Sequence, residues 1–229
     1  MPKSLRPWRT VTATPRPDPA RIARLERELG IGDGEPSLDG RRCLMAGWGD
    51  ALDSSDITAD EYGRISLTGK AGIHALGAIS SGPGGYRIQV DMGFRTIGPN
   101  LAVHSGLYFG HTSADAYRFG IAGTMGGYHL VVRQSGRMRL FQHLPGAPAG
   151  RALGSGDVHT PAPKAGEPMT FEIDVTPETV EVRRLGDPGW TTGPIPDDMH
   201  RGGHFGLSNG SVDNPAGRPF WDYLVVTEL

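Results

Sequence analysis

From about residue 40 onward the apolar residues recur at every second position, and no other feature narrows the fold of this chain as much. In YRIQVDMGF, Tyr86, Ile88, Val90 and Met92 fall on one side and Arg87, Gln89 and Asp91 on the other. That is the pattern of a strand with one buried face. Similar short runs follow: GLYFGHT, AYRFGIAG, YHLVVRQ, RMRLFQHL, MTFEIDV, TVEVRRL, HFGLSNG and FWDYLVVTEL. Gly, Pro, Ser and Asp separate them, and the 35 Gly and 19 Pro supply turns while discouraging long helices. The spacing predicts an antiparallel sandwich or barrel. At 134–137, QSGR predicts a tight hairpin in which Gly136 takes positive φ. The expected register sets His129 opposite Gln142, Val131 opposite Leu140 and Arg133 opposite Met138.

The first 40 residues read differently. Residues 1–17 are basic and Pro-rich, an extended arm. PDPARIARLERELG then predicts a helix over 18–30, with Asp18 as N-cap, Pro19 in the first turn and Gly30 beyond the last. Ile22, Leu25 and Leu29 give it a narrow apolar stripe, enough to dock on the larger domain or on another chain. The expected organisation is therefore an arm and helix over 1–40 and one β-sandwich domain over 41–229.

A formal charge of −2 argues against nucleic acid or an acidic membrane surface as a partner, and the basic arm reads as a solvated terminus. Cys43 is the only cysteine, so no intramolecular disulfide forms. MPKSLRPWRTVTATPRP lacks the apolar run of a signal peptide, and no stretch approaches the ~20 apolar residues of a membrane span. The expectation is a soluble, cytoplasmic protein. The Pro/Gly-rich stretch 145–168 is expected to form a long loop, a lid or rim over a site.

The run SGLYFGHTSADAYRFGIAGTMGGYHLVVRQSGRMRLFQ, the hairpin FEIDVTPETVEV, and the pair GGHFGLSNG and FWDYLVVTEL together resemble concanavalin A-like lectin/glucanase domains. The resemblance covers roughly residues 45–229 and lies in the order of strands and turns. It implies an all-β, antiparallel two-sheet jelly-roll whose concave face commonly binds sugars. Fold alone leaves the task open, because the superfamily includes lectins, carbohydrate-binding modules, glycosidases and lyases.

Three constellations are candidates for chemistry. Glu172 and Asp174 share one face of a strand, two rises or roughly 7 Å apart, close to the carboxyl pair a retaining glycosidase needs. The glucanase-like signature is stretched here, however, and Pro177 moves Glu178 into a turn. A hairpin with an acidic outer face accounts for the same residues. The second constellation is a groove lined by Tyr108, Arg118, His129, Arg133 and Gln142, where a flat ring and directed donors and acceptors suit a pyranose. His129 would act there as acid or base, with Trp190 as a stacking platform on a loop. The third is Asp222, where the resemblance implies either a structural calcium, with Asp213 and Asn214 as further oxygen ligands, or an anchor for the terminal strand. HRGGH at 200–204 puts two His four apart, but its glycines oppose the helix that would join them on one zinc ion.

These readings lead to recognition of a carbohydrate or another polyhydroxylated small molecule in the groove of a lectin-like sandwich. The alternative is an enzyme on the same groove: a glycoside hydrolase, a lyase, or a biosynthetic enzyme using His, Arg and carboxylate acid–base catalysis.

Overall fold

The computed structural model describes residues 37–38, 41–46, 57–60, 62–68, 73–79, 83–113, 126–154, 157–186, 189–209 and 219–229. The expected helix over 18–30 and the arm before it lie outside these residues, as do Arg118, Asp213 and Asn214. Among the described residues there is no helix.

The strands in chain order are β1 (Ser37–Leu38), β2 (Arg41–Ala46), β3 (Ile57–Ala59), β4 (Ile65–Leu67), β5 (Ile73–Ala78), β6 (Tyr86–Phe94) and β7 (His104–Gly110). After these come β8 (Gly127–Arg133), β9 (Arg137–His143), β10 (Arg151–Ala152), β11 (Val158–His159), β12 (Pro168–Val175) and β13 (Thr179–Arg184). The last are β14 (Trp190–Thr191), β15 (Ile195–Pro196), β16 (Gly202–Ser208) and β17 (Pro219–Glu228). They form two antiparallel sheets. A ten-stranded sheet runs β1-β2-β17-β6-β12-β13-β14, with β15 on β13 and the β3–β4 pair on β17. A seven-stranded sheet runs β10-β9-β8-β7-β16-β5, with β11 on β9. Ser37–Leu38 already pairs with β2, so the sheet begins before residue 41.

The inner faces follow from the two-residue period. Tyr86, Ile88, Val90 and Met92 of β6 are buried, as are Phe171, Ile173 and Val175 of β12 and Val180 and Val182 of β13. Leu107 and Phe109 of β7 meet them from the other sheet, with Tyr128, Leu130 and Val132 of β8 and Met138 and Leu140 of β9. Removing side chains of this size from water contributes on the order of 2 kcal/mol each, before the entropy of ordering the chain is subtracted.

The β8–β9 hairpin departs from the expected register by one residue. His129 pairs with Phe141, Val131 with Arg139 and Gly127 with His143. The cause is a three-residue loop, Gln134, Ser135 and Gly136. Gly136 takes the expected positive φ of 81°, and its N–H donates to the Arg133 carbonyl at 3.0 Å. This slip restores clean faces: Leu140 and Met138 point inward with Leu130 and Val132, while Arg139, Phe141 and His143 face outward with His129. The expected 145–168 loop is not one excursion. Its segments β10 and β11 both pair with the edge of β9.

Candidate functional site

The side chains that converge are histidines on the outer face of the seven-stranded sheet. His104 and Tyr108 come from β7, His129 from β8, His143 from β9 and Ser208 from β16. His111 stands just beyond β7 and pairs with His204 of β16, and His200 lies just before β16. The Tyr108 ring is central. It stacks on His129 at 3.8 Å between centroids and 15° between planes. His111 lies 5.5 Å from it and His143 5.4 Å. His104 and His143 each stand 5.5 Å from the His129 ring.

Glycines make room for these rings. A Cβ at Gly106 would lie 2.6 Å from His129 Nε2 and 2.7 Å from Ser208 Oγ. One at Gly127 would meet the His111 ring at 2.5 Å, and one at Gly150 the His143 ring at 2.6 Å. Any side chain at these positions would displace an imidazole or the backbone that carries it.

Ser208 Oγ sits 2.9 Å from Nε2 of His104 and 2.9 Å from Nε2 of His129. The hydroxyl has one proton, so it donates to one imidazole and accepts from the other. Burial drives the rings toward their neutral forms. His104, His111 and His143 are each pushed down to about 4, first by desolvation and then by neighbouring positive charge: Arg133 for His104, and other histidines for the remaining two. His129, enclosed by His104, His143 and His111, is held well below its ordinary value, chiefly by desolvation. Desolvation also lowers His200, against the pull of Asp197. At neutral pH His104, His111, His129 and His143 are therefore uncharged.

The expected groove residues divide. Tyr108, His129 and Arg133 do share the outer face, with Arg133 opposite His104 across β7 and β8. Gln142 does not. The register slip turns it to the inner side, where its Nε2 donates to Asp197 Oδ2 at 2.7 Å and its Oε1 accepts from Arg151. Arg118 is outside the described residues. Trp190 is half-buried in β14 and packs against the core cluster, instead of standing free on a loop.

Glu172 and Asp174 point to the outer face of the other sheet, on the far side of the core from His129. Arg87 Nε and Nη2 donate to the two Asp174 oxygens at 2.6 and 2.7 Å. Arg183 Nη2 reaches Glu172 Oε1 at 2.5 Å and Asp174 Oδ2 at 2.6 Å. Burial alone would raise Asp174, but these guanidiniums outweigh it and hold the carboxyl below its usual value. A carboxylate so neutralised is a poor proton donor and a hindered nucleophile. The pair and His129 cannot serve one ligand. Glu178 lies in the β12–β13 turn, its N–H donating to Thr176 Oγ1 at 3.3 Å.

Asp222 occupies a β-bulge: Trp221 pairs with Met92 and Tyr223 with Asp91, leaving Asp222 as the extra residue. Among the described residues no group of three or more His, Cys, Asp or Glu is placed to hold a metal ion. Asp213 and Asn214, the other oxygen ligands expected beside Asp222, lie outside the described residues.

The convergence of His111, His143, His200 and His204 with the His129 centre was not anticipated from the sequence. A register that sets His129 opposite Gln142 leaves His143 on the other face; the three-residue loop brings the two histidines to one face.

No family model matches the chain, and no curated protein does. Solved structures do. A protein of unknown function with a galectin-like fold from Bacillus subtilis aligns over 81% of this chain and 96% of that one, at 13% identity and a TM-score of 0.52. The exoplasmic/lumenal domain of VIP36 in its calcium- and mannose-bound form aligns over 76% and 81%, at 10% identity and 0.52. Its metal-free form scores the same 0.52, at 10% identity over 76% and 83% of the chains. The two sheets, their order and these alignments together make the fold of this chain a concanavalin A-like, galectin-like sandwich.

Proposed function

We propose that the chain binds a carbohydrate or another polyhydroxylated small molecule at the histidine face of the seven-stranded sheet. The observation that carries this reading is the cluster of neutral imidazoles around Tyr108 and Ser208. A neutral imidazole offers one donor and one acceptor, as a sugar hydroxyl does, so the two can pair without a charge to desolvate. Half-buried His104, Arg133, Arg139 and Phe141 form the part of this face that a ligand can reach. The sugar-bound VIP36 domain, which shares the fold, supports the same class of ligand.

The test is a glycan array followed by titration of binding saccharides into the protein with isotope-labelled histidine. Binding that shifts the imidazole signals of His104 and His129 is the expected result. A full array without a hit, or hits that leave those signals unmoved, would overturn the proposal.

An acid–base enzyme on this face is the second reading. Ser208 supports it, since its hydroxyl lies 2.9 Å from Nε2 of two imidazoles, and donation to either is the pairing that activates a nucleophile.

A further inference from the structure

We infer that the ligand is an anionic saccharide, one whose carboxylate or sulfate is taken by Arg133 and its neighbours at the hairpin end of the histidine face. This rests on the reading just given and names the class of sugar.

The turn end of the β8–β9 hairpin concentrates positive charge. Arg133 ends β8 on the outer face, and Arg137 and Arg139 begin β9 on the same face. Asp157 is the carboxylate that serves them, pairing with both Arg137 and Arg139. Arg133 has no carboxylate partner among the described residues. Its half-buried guanidinium meets desolvation and the like charges of Arg137 and Arg139, and both make it less willing to stay charged. Arg137 Nε is buried without an acceptor among the described residues. Three guanidiniums and one carboxylate leave this end with a surplus of positive charge and an unfilled donor.

That surplus is not cancelled along the face. The next side chains on the outer face are Val131 and Phe141, then His129, and the rings beyond are neutral. His104, directly across from Arg133, is itself driven neutral in part by the Arg133 charge. The face is thus polarised, cationic at the turn and uncharged at the imidazoles. Four residues of β8 separate the two ends, roughly 13 Å at the rise of a strand. A ligand that matches both ends carries an anion at one and hydroxyls at the other. A guanidinium fork fits a planar carboxylate with two parallel bonds, and such charge-assisted bonds are about twice as strong as neutral ones.

The experiment is calorimetric titration of the full chain with a neutral oligosaccharide, a uronate oligomer of the same length and a sulfated neutral oligomer. Each is run with wild type and Arg133→Gln, and the thermal melt of the variant confirms that it folds. The expected result is preference for at least one acidic oligomer over the neutral one. Arg133→Gln should weaken that oligomer about tenfold or more and remove most of its advantage over the neutral one. Arg133→Lys keeps the charge and loses the fork, so it should separate a uronate, which it weakens, from a sulfate, which it tolerates better. Equal affinity for neutral and acidic oligomers, unaltered by Arg133→Gln, would overturn this inference and leave carbohydrate binding standing. Silence from all three oligomers and from the glycan array would overturn both.

Discussion

The two outer faces of the sandwich bury polar side chains by opposite means. On the ten-stranded sheet, Arg87 and Arg183 interleave with Glu172, Asp174 and Glu181, so every charge in this ladder has an opposite charge against it. On the seven-stranded sheet, the histidines around Tyr108 give up their charge instead. Partial burial explains both, since an ion out of water needs a partner and a titratable group without one is neutralised. The ladder is thereby spent on structure, with its lone pairs and donors already engaged. The imidazoles need no counter-charge, and Ser208 Oγ lies 2.9 Å from two of them.

Acid should break this symmetry with the largest effect. His111 and His143 titrate near 4 in the fold, against 6.5 for a free imidazole. Above pH 6.5 the rings are neutral both folded and unfolded, so they cost nothing. Between 6.5 and 4 the unfolded chain takes up protons that the fold refuses, and stability falls as pH falls. Below both values each such ring costs on the order of 3 kcal/mol. Part of each depression is shared repulsion between rings, so the costs do not add in full. Asp174 acts in the same direction at lower pH: its contribution is present above 3.8 and is lost as pH falls through its lower folded value. Melting temperatures should therefore hold from pH 7.5 to about 6.5 and drop from there to 4.5, and His143→Gln should flatten the slope. A melting temperature indifferent to pH in that window would mean the rings are already charged or solvated.

A smaller effect tests whether the neutral face depends on close approach by glycine. Gly106→Ala drives a methyl group into His129 and Ser208 and should cost about 2 kcal/mol in denaturant unfolding. It should also shift the His129 and His104 imidazole signals, since Ser208 bonds to both. Gly189→Ala, near the edge strand of the other sheet, meets its nearest atom only at 3.3 Å and should cost about half a kcal/mol or less. Equal costs at the two positions would show that the imidazoles yield easily, and the case for a preformed site would weaken.

Alternation made most of the fold legible in the sequence. Tyr86, Ile88, Val90 and Met92 are buried as their spacing required, and the period of two continues through Phe171, Ile173 and Val175. Gly136 took its positive φ, but one extra residue in its loop decided which histidines share a face. Parity along a strand is local information, whereas register depends on a turn whose length the residues QSGR leave open. Trp190 failed for a related reason: a two-residue strand pairing with β13 draws it onto the core, and so short a strand has no period to read. Glu172 and Asp174 were correctly placed on one face. Their role turned on Arg87 and Arg183, neighbours supplied by strand pairing that spacing along one strand does not reveal.

The ladder itself supplies the smallest test. Arg183 touches Glu172, Asp174 and Glu181, and its side chain is 24% exposed, so solvent and salt screen each of these contacts. Arg183→Met leaves Asp174 still gripped by both nitrogens of Arg87, which limits the damage. The expected loss is about 1 kcal/mol at low ionic strength, shrinking as salt approaches 1 M, where the Debye length falls to about 3 Å. Adding Glu172→Gln should recover part of it, because the carboxylate left with the weaker contact to Arg87, at 3.4 Å, is then removed. Gly106→Ala, by contrast, should cost the same at every salt concentration, since packing against a neutral ring is not screened. If the Arg183 loss exceeded about 3 kcal/mol and ignored salt, the ladder would be energetically buried. The division between a paired, screened face and a neutral, unscreened one would then fail at its charged half.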